Sequence, residues 1–500
     1  MAKSIMLQGT TSNAGKSLLT AALCRIFRQD GYSVAPFKSQ NMALNSFITK
    51  EGLEMGRAQV MQAQAAGIEP SVLMNPILLK PSSDTGSQVI VNGEVLGNLS
   101  AREYFRMKQT LVPQIQRAYQ TLASQYDIVV LEGAGSPAEI NLKTNDIVNM
   151  GMARLAGAPV LLTGDIDRGG VFAALAGTLM LLEPEERAMT KGLIINKFRG
   201  DREILQPGIT QIEQITGVPV VGVVPYLTVD IDDEDSLSER LHTDVAPMGI
   251  IDIAVIRLPR LSNFTDFNPL EAIEGVSLRY VQYVSQLKTP DLIILPGTKN
   301  TMEDLLWLRQ CGLEAEIHKY AAKGGAVLGI CGGYQMLGES LCDPDRVEYG
   351  GELSGIGLLP VSTTFCAQKS RTRVTGHFGE VRGVLSELSG VPLEGYEIHM
   401  GRTVSSHPLA DIQNQQTAEW GLDGCQSGNV YGSYLHGLFD QEAAAKALIV
   451  SLCRAKGVDW SQVQAIDLAA YREQQYDRLA QGVRETIDLQ QIYRILEAGL

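Results

Sequence analysis

The sequence lacks long hydrophobic runs. Its longest apolar stretches, 158–163 and 218–225, fall well short of the roughly 20 residues that cross a bilayer. It also lacks internal repeats and low-complexity tracts, which argues against a repeat or fibrous protein. What remains is a chain of 500 residues, 45% apolar and 20% charged, which is typical of a globular protein with two or three domains.

The cysteines form no C-x-x-C pair, and their number, seven, is odd. A disulfide framework is therefore not expected, and free thiols in a reducing compartment fit best. Residues 1–9 carry a single lysine and run directly into a glycine-rich loop, unlike a signal peptide with its cleavage site. The sequence thus predicts a cytoplasmic protein.

Basic residues are fewer than acidic ones: 42 Lys and Arg against 56 Asp and Glu give a net charge of −14. Such a field opposes binding to nucleic acid or to an anionic membrane. We therefore expect small-molecule partners, and an anionic substrate would need a local basic pocket. The composition predicts no oligomeric state.

Short apolar runs alternate with longer amphipathic segments through the first 225 residues, which predicts a parallel sheet covered by helices on both faces. The candidate strands here are Ser4–Gln8, Ser33–Phe37, Asp127–Leu131, Pro159–Thr163, Leu193–Asn196 and Val218–Val224. An acidic polar stretch, 228–239, then interrupts the pattern.

The alternation of short apolar runs with amphipathic segments resumes beyond that stretch. Its candidate strands are Ile251–Leu258, Ser277–Gln282, Asp291–Leu295 and Ala326–Ile330. The fold class predicted is therefore α/β, with two doubly wound domains. The predicted boundaries are 1–228 for the first domain, 229–250 for a linker, 251–443 for the second domain and 444–500 for a helical extension.

A glycine-rich loop separates the first strand from the helical segment 18–27. Glycines allow a tight loop whose N–H groups cradle phosphate, while Lys16 neutralises the transferred phosphoryl group and Ser17 can bind Mg²⁺. The two glycines of the loop stand one residue further apart than in the standard pattern. The residues predicted to bind the phosphates are Gly9, Thr10, Asn13, Gly15, Lys16 and Ser17.

Three polar residues at strand ends suit the same site, because open sheets bind ligands at the carboxyl ends of their strands. Glu132 and Asp165 follow two of the strands, and either could hold Mg²⁺ or simply cap a helix or turn. Asn196 follows a third strand, where its amide could read adenine or play no role in binding.

The longer loop, Lys38 after the second strand and the sequence Glu132-Gly-Ala-Gly together resemble the dethiobiotin synthetase family of P-loop enzymes. That resemblance implies activation of a carboxylate by ATP as an acyl phosphate. It also implies that Lys16 and Lys38 stabilise the phosphoryl group and the substrate carboxylate, while Glu132 and Asp165 organise Mg²⁺. No tightly bound prosthetic group is expected.

Cys331 stands on a predicted strand-to-helix turn, followed by Gly332 and Gly333. The N-terminus of a helix favours the thiolate form of a cysteine and supplies backbone N–H groups to an oxyanion. We therefore predict that Cys331 is a nucleophile. Gly332, and Gly297 in the turn after the strand Asp291–Leu295, are predicted to form the oxyanion hole.

A cysteine nucleophile needs a nearby base, and His436, between an apolar run and a glycine, is the best candidate of the six histidines. The sequences G-I-C-G-G-Y-Q-M-L-G and Y-L-H-G resemble class I glutamine amidotransferases. That class usually has His-x-Glu, whereas here Leu438 stands in the glutamate's place. A Cys–His dyad, or a carboxylate from elsewhere, must be assumed. His399 is predicted to be either structural or substrate-positioning.

Over nearly its whole length the chain resembles the cobyric acid synthase family of the cobalamin pathway. The most specific segments are M-L-Q-G-T-T-S-N-A-G-K-S (Met6–Ser17), P-F-K-S-Q-N-M-A-L-N-S (Pro36–Ser46) and N-P-I-L-L-K-P (Asn75–Pro81). The resemblance implies ATP- and glutamine-dependent amidation of the b, d, e and g carboxylates of adenosylcobyrinic acid a,c-diamide. Basic residues expected to line such a polyanionic corrinoid are Lys38, Arg57, Lys80 and Arg168.

Three other functions stay open at this point. Cobyrinic acid a,c-diamide synthase has the same two domains. A nucleotide-switch module would need no catalytic Cys331, and a free-standing glutaminase would leave Lys16 unexplained.

Overall fold

The computed structural model describes residues 2–82, 86–231, 241, 249–462 and 467–500. Most of the predicted linker, 232–240 and 242–248, lies outside these described residues. The chain divides into two compact units. The first unit comprises Met1–Met42, Met55–Asp232 and Ala470–Leu500, and the second comprises Ala43–Glu54 and Asp233–Ala469.

Up to residue 231, strands and helices alternate along the chain. The strands are β1 (Lys3–Gly9), β2 (Val34–Phe37), β3 (Gln40–Met42), β4 (Ser46–Ile48), β5 (Glu54–Gly56), β6 (Ile77–Pro81), β7 (Gly86–Val91), β8 (Glu94–Ser100), β9 (Ile128–Glu132), β10 (Val160–Asp165), β11 (Thr190–Phe198) and β12 (Val220–Pro225). The helices are α1 (Lys16–Gln29), α2 (Arg57–Ala66), α3 (Ala101–Met107), α4 (Val112–Gln125), α5 (Met150–Ala156), α6 (Val171–Leu181), α7 (Pro184–Met189) and α8 (Arg202–Thr216).

Beyond residue 249 the chain first alternates in the same way and ends in helices. The strands are β13 (Ile251–Ile256), β14 (Val276–Val281), β15 (Leu292–Leu295), β16 (Ala326–Ile330), β17 (Ser340–Asp343), β18 (Gly351–Ser354), β19 (Ser362–Phe378), β20 (Pro392–Thr403), β21 (Ala410–Asn414), β22 (Trp420–Asp423), β23 (Cys425–Ser427) and β24 (Val430–Ser433). The helices are α9 (Asn268–Glu271), α10 (Val284–Leu287), α11 (Thr301–Gln310), α12 (Leu313–Ala322), α13 (Gly332–Leu337), α14 (Glu442–Lys456), α15 (Leu468–Arg484) and α16 (Leu489–Ala498).

The first unit is built on a parallel sheet with the strand order β12-β11-β10-β1-β9-β2. Its strands are almost fully buried, as expected when helices cover both faces. Because all six strands run the same way, their carboxyl ends share one edge. That edge holds Gly9, Glu132, Asp165 and Asn196, with Lys38 directly after β2. A smaller mixed sheet, β3-β6-β7-β8, accompanies it.

The second unit contains another six-stranded sheet, with the order β14-β13-β15-β16-β24-β23. Its pairs are parallel except β23 with β24. Cys331 directly follows β16 and His436 lies just beyond the neighbouring strand β24. A second, mostly antiparallel sheet has the order β18-β17-β19-β21-β22, with β20 paired to β19. The prediction of two α/β domains with largely parallel sheets is confirmed.

The division into units differs from the predicted boundaries in two places. Residues 43–54, from within the predicted first domain, group with the second unit. Residues 470–500, from the predicted extension, group with the first unit. There Leu479 and Ile492 are buried in the same hydrophobic cluster as Leu23 and Phe27 of α1. Among the residues that the structure describes, no helix combines the length and apolar character that crossing a membrane requires.

Leu479→Ala tests whether the last helices stabilise the first unit. Leu479 is 1% exposed, so truncation should lower the free energy of unfolding of this unit by about 2–5 kcal/mol. Hydrogen exchange of the α1 amides, followed by mass spectrometry, would show faster exchange. Leu181→Ala, at a leucine that is 49% exposed, is the control. Equal exchange in both variants would show that the helices contribute nothing to α1.

Candidate active sites

The glycine-rich loop of the first unit is held in a conformation that demands glycine. Gly15 has φ +88°, and a Cβ there would stand 2.1 Å from the Asn196 side chain. Asn196 Nδ2 donates a hydrogen bond of 2.9 Å to the Ala14 carbonyl. Asn196, whose amide the sequence allowed either to read adenine or to play no role in binding, therefore braces the loop from β11, two strands away from β1 in the sheet.

Lys16 links this loop to a second turn. Its ammonium donates to the carbonyls of Thr11, at 3.0 Å, and Gly135, at 3.1 Å. The Gly133–Gly135 turn is itself held by Asn149, whose amide bonds both the N–H and the carbonyl of Ala134. The lysine is thus positioned at the carboxyl edge of the sheet, where a phosphate would meet the N-terminus of α1.

Glu132 is the centre of a buried hydrogen-bond network beside the loop. One carboxylate oxygen accepts from Ser17 Oγ at 2.9 Å and from Lys38 Nζ at 2.8 Å. The other accepts from Gln62 Nε2 at 2.5 Å. The Lys38 and Glu132 side chains are 5% and 0% exposed, so each charge depends on the other for compensation.

Ser17 and Glu132 fit Mg²⁺ by the chemistry of their donors. Mg²⁺ prefers hard oxygen ligands such as hydroxyls and carboxylates. The Ser17 hydroxyl and the Glu132 carboxylate supply two such oxygens side by side, joined by a hydrogen bond of 2.9 Å. The described residues contain no cluster of three or more His, Cys, Asp or Glu side chains suited to a metal. An ion bound here would therefore complete its shell with water and phosphate oxygens.

The structure also places the other predicted residues of this unit. Asp165 forms an ion pair of 3.0 Å with Lys197. The side chain of Arg168, which is 70% exposed, lies 3.9 Å from the same Asp165 carboxylate. Arg57 and Lys80 are both 4% exposed. Burial of that degree leaves their side chains little surface to offer a large corrinoid, whereas Arg168 is freely accessible.

In the second unit, Cys331 adopts a strained backbone conformation. Its φ and ψ are +50° and −107°, a region that a residue with a side chain occupies only when the surrounding structure enforces it. β16 and the hydrogen bond from its N–H to the Ser433 carbonyl, 2.8 Å, provide that enforcement. The result is a sharp turn that presents the thiol at the N-terminus of α13, as a nucleophile requires.

The two glycines predicted for the oxyanion hole lie beside this thiol turn, and neither position has room for a side chain. A Cβ on Gly332 would stand 3.1 Å from the Thr298 nitrogen, and one on Gly297 would stand 2.9 Å from the His436 ring. The 296–300 turn is fixed by Asp304, which accepts from Thr298 Oγ1 at 2.5 Å. Burial raises the pKa of Asp304 to about 6, although hydrogen bonds from Thr298 and Arg260 oppose that rise.

His436 has the carboxylate partner that the sequence did not reveal. Asp266, in the short 3-10 turn Phe264–Phe267 after β13, stands 2.6 Å from His436 Nδ1. Its other oxygen accepts from the Gly437 N–H at 3.0 Å. Both side chains are buried, at 2% and 6% exposure. The missing His-x-Glu carboxylate is thus replaced by an aspartate 170 residues away in sequence.

The electrostatics of this group favour a charged imidazole. Burial alone lowers the pKa of His436, but the Asp266 carboxylate and a hydrogen bond with the Cys331 side chain outweigh it and raise the pKa well above its ordinary value. Cys331, His436 and Asp266 therefore form a continuous series of side-chain contacts, the arrangement that a nucleophile, a base and an orienting carboxylate would need.

His399 directly follows a residue that contacts the thiol. The carbonyl of the preceding residue, Ile398, is 3.8 Å from Cys331 Sγ. The His399 ring stacks on Tyr434 at 3.7 Å, and its Nδ1 is 2.7 Å from the Gly401 carbonyl. Its Nε2 is buried and has no hydrogen-bond partner among the described residues. This placement is compatible with both predicted roles.

Sequence reasoning missed three residues that these sites use: Gln62, Asn149 and Asp266. Gln62 and Asn149 carry no motif, and amides of this kind are common on helices. Asp266 had one usable signal, because it lies in the turn that follows the first strand of the second domain. The carboxyl ends of parallel strands meet at one edge.

Comparison with known proteins bears on both units. The CobQ/CobB/MinD/ParA nucleotide binding domain matches residues 5–237, and the CobB/CobQ-like glutamine amidotransferase domain matches residues 252–444. A cobyric acid synthase from Lachnoclostridium phytofermentans is 58% identical over 515 residues, covering all of both chains. The chain belongs to the cobyric acid synthase family.

Two further members show the same full-length match. The cobyric acid synthase of Ruminiclostridium cellulolyticum is 58% identical, covering all of this chain and 98% of that protein. That of Yersinia enterocolitica is 53% identical, covering 99% and 98%. The resemblance to the cobyric acid synthase family is confirmed, and with it the prediction of an enzyme, a glutamine amidotransferase ligase with a nucleotide-binding domain.

Asp266→Asn tests whether this carboxylate sets the charge of His436. Without it, burial lowers the pKa of His436, so the imidazolium is lost at a lower pH and no longer stabilises the thiolate at neutral pH. Alkylation of Cys331 by iodoacetamide at pH 7.5, measured by mass spectrometry, should slow at least tenfold, since one pKa unit is a factor of ten. Asp411→Asn, at a surface aspartate, is the control. An unchanged pH profile of alkylation in Asp266→Asn would contradict this assignment.

Proposed function

We propose that the chain amidates the b, d, e and g carboxylates of adenosylcobyrinic acid a,c-diamide, using ATP and glutamine. The full-length similarity to proteins named cobyric acid synthase supports the substrate. The observation that carries the mechanism is that one chain holds both a Cys331–His436–Asp266 group and a phosphate loop joined to Glu132 and Lys38. The first group suits release of ammonia, and the second suits activation of a carboxylate.

In the first reaction, Cys331 Sγ attacks the side-chain carbonyl carbon of glutamine. His436, which already carries the thiol proton as the imidazolium, passes it to the leaving nitrogen, which departs as ammonia and leaves a thioester. Water then attacks the thioester, giving glutamate and the free thiol. The N–H groups of Gly332 and of Gly297, in the 296–300 turn, stabilise the negative oxygen that develops in both steps.

In the second reaction, an oxygen of the corrinoid carboxylate attacks the γ-phosphorus of ATP, and ADP leaves. Ammonia then attacks the acyl phosphate, so that a C–N bond forms, inorganic phosphate leaves and a carboxamide remains. Lys16 and Lys38 neutralise the phosphoryl oxygens and the carboxylate. Mg²⁺ held by Ser17 and Glu132, with Asp165 near the same edge, would supply further positive charge to the phosphates.

Two general features accord with this proposal. Lys16 and Lys38 are 6% and 4% exposed, so the positive charge that an anionic substrate needs lies inside a chain whose net charge is −14. All seven cysteines are free thiols, which fits a reducing cytoplasm.

Cys331→Ala should abolish amidation supported by glutamine, because no other group in the site can form the thioester. Amidation supported by added ammonium should continue, since carboxylate activation takes place elsewhere. Mass spectrometry of the corrinoid products counts the amides formed. Cys366→Ala, at a cysteine outside the site, should retain both activities. Loss of both activities in Cys331→Ala would contradict separate sites.

Lys16→Ala should remove amidation with either nitrogen source, because the phosphoryl group loses its nearest cation. Lys191→Ala, at a lysine of the same unit outside the loop, is the control. If Lys16→Ala amidated normally, the phosphate-loop assignment would be wrong. Supplying cobyrinic acid and its a,c-diamide separately in the same assay distinguishes the proposed substrate from that of cobyrinic acid a,c-diamide synthase.

A further inference from the structure

Residues 43–54 continue the specific segment Pro36–Ser46, yet they belong to the second unit. Within that unit, Ile48 is fully buried in a small hydrophobic cluster with Tyr396 and Ile398, against which Phe47 packs. Glu54 forms an ion pair of 2.6 Å with Lys369, with side-chain exposures of 0% and 7%. The segment is therefore an integral part of the second unit and is fixed at its far end by a buried charge pair.

Ser46, at the start of β4, takes part in a closed set of hydrogen bonds with Asn263 and Tyr396. Asn263 Nδ2 donates to the Ser46 carbonyl at 3.2 Å and to Tyr396 Oη at 3.0 Å. Tyr396 Oη donates to the same carbonyl at 3.1 Å, and the Ser46 N–H donates to Asn263 Oδ1 at 3.2 Å. All three residues are at most 4% exposed, so water does not compete for these bonds.

Tyr396 carries this arrangement to the histidine. Its ring stacks on the His436 ring, with centroids 5.5 Å apart and planes inclined by 27°. The backbones of the two residues exchange hydrogen bonds of 3.0 and 2.9 Å. Hydrogen bonds with Asp266, at Nδ1, and with the Cys331 side chain hold the edges of the imidazole. The Tyr396 ring packs on its face and so restricts tilting of the ring plane.

We propose that Tyr396 is a positioning residue for glutamine hydrolysis, locked against His436 by Asn263 and by the Ser46 carbonyl of the 43–54 segment. This inference rests on the proposed function, because it assigns a role within the Cys331 reaction. The tyrosine touches neither the thiol nor, in this arrangement, the reacting atoms. It acts by keeping the imidazole aligned for the two proton transfers. Such alignment affects kcat, the rate at which bound glutamine reacts, more than it affects the binding of glutamine.

Tyr396→Phe keeps the stacked ring and removes only the hydroxyl. Glutamine hydrolysis should show a kcat that falls about 5- to 10-fold, the factor expected for one buried hydrogen bond of about 1–1.4 kcal/mol, with KM unchanged. Amidation supported by ammonium should keep its rate. Tyr431→Phe is the matched control, because that buried hydroxyl in the same unit also bonds two backbone groups, of Leu385 and Arg382.

Asn263→Gly breaks the same set from its other side. Asn263 has φ +53°, a conformation that glycine adopts without strain, so the variant reports the loss of the amide. Because the two substitutions disrupt one set of bonds, the double variant should be no slower than the slower single variant.

The outcomes separate this inference from the function on which it rests. If the unaltered protein hydrolyses no glutamine, the proposed function fails. If it does, and Tyr396→Phe matches Tyr431→Phe, the positioning role is wrong. An altered KM with constant kcat, an equal loss with ammonium, or additive effects in the double variant would also overturn it.

Discussion

The chemistry proposed for the second unit depends on the ion pair between Asp266 and His436. An imidazole buried to this extent would shed its proton, and the carboxylate at 2.6 Å reverses that preference. Burying the pair costs desolvation, which the Gly437 N–H offsets in part by donating a hydrogen bond to the other Asp266 oxygen. Residues 263–267 contact the imidazole in two ways: Asp266 bonds its Nδ1 edge, and Asn263 bonds Tyr396, whose ring stacks on its face.

The first unit contains a comparable buried pair of a cation and a carboxylate. Lys16 and Lys38 are held inside a strongly acidic chain, and Glu132 compensates the second of them directly. A nucleotide that brings phosphates and a cation to Ser17 would have to share the oxygens of this carboxylate.

The sequence predicted the fold class, the phosphate loop and the thiol turn because each is a local pattern of glycines and apolar strands. It left open a Cys–His dyad or a carboxylate from elsewhere beside His436, and it did not identify Asp266, which lies 170 residues away in the chain. It also could not place residues 43–54 with the second unit, or 470–500 with the first. In both cases burial against residues distant in sequence determines the unit to which the segment belongs, and the local hydrophobic periodicity does not indicate such contacts. Asn196 lay where expected, yet the structure shows that its donor braces the loop.

Nitrogen-15 NMR of the protein labelled at histidine tests the central claim most directly, with His436→Gln used to assign the signal. We predict that both ring nitrogens of His436 carry protons at pH 8, with the Nδ1 proton in the strong hydrogen bond to Asp266. A neutral ring at that pH, titrating near the ordinary histidine value of about 6.5, would contradict the account.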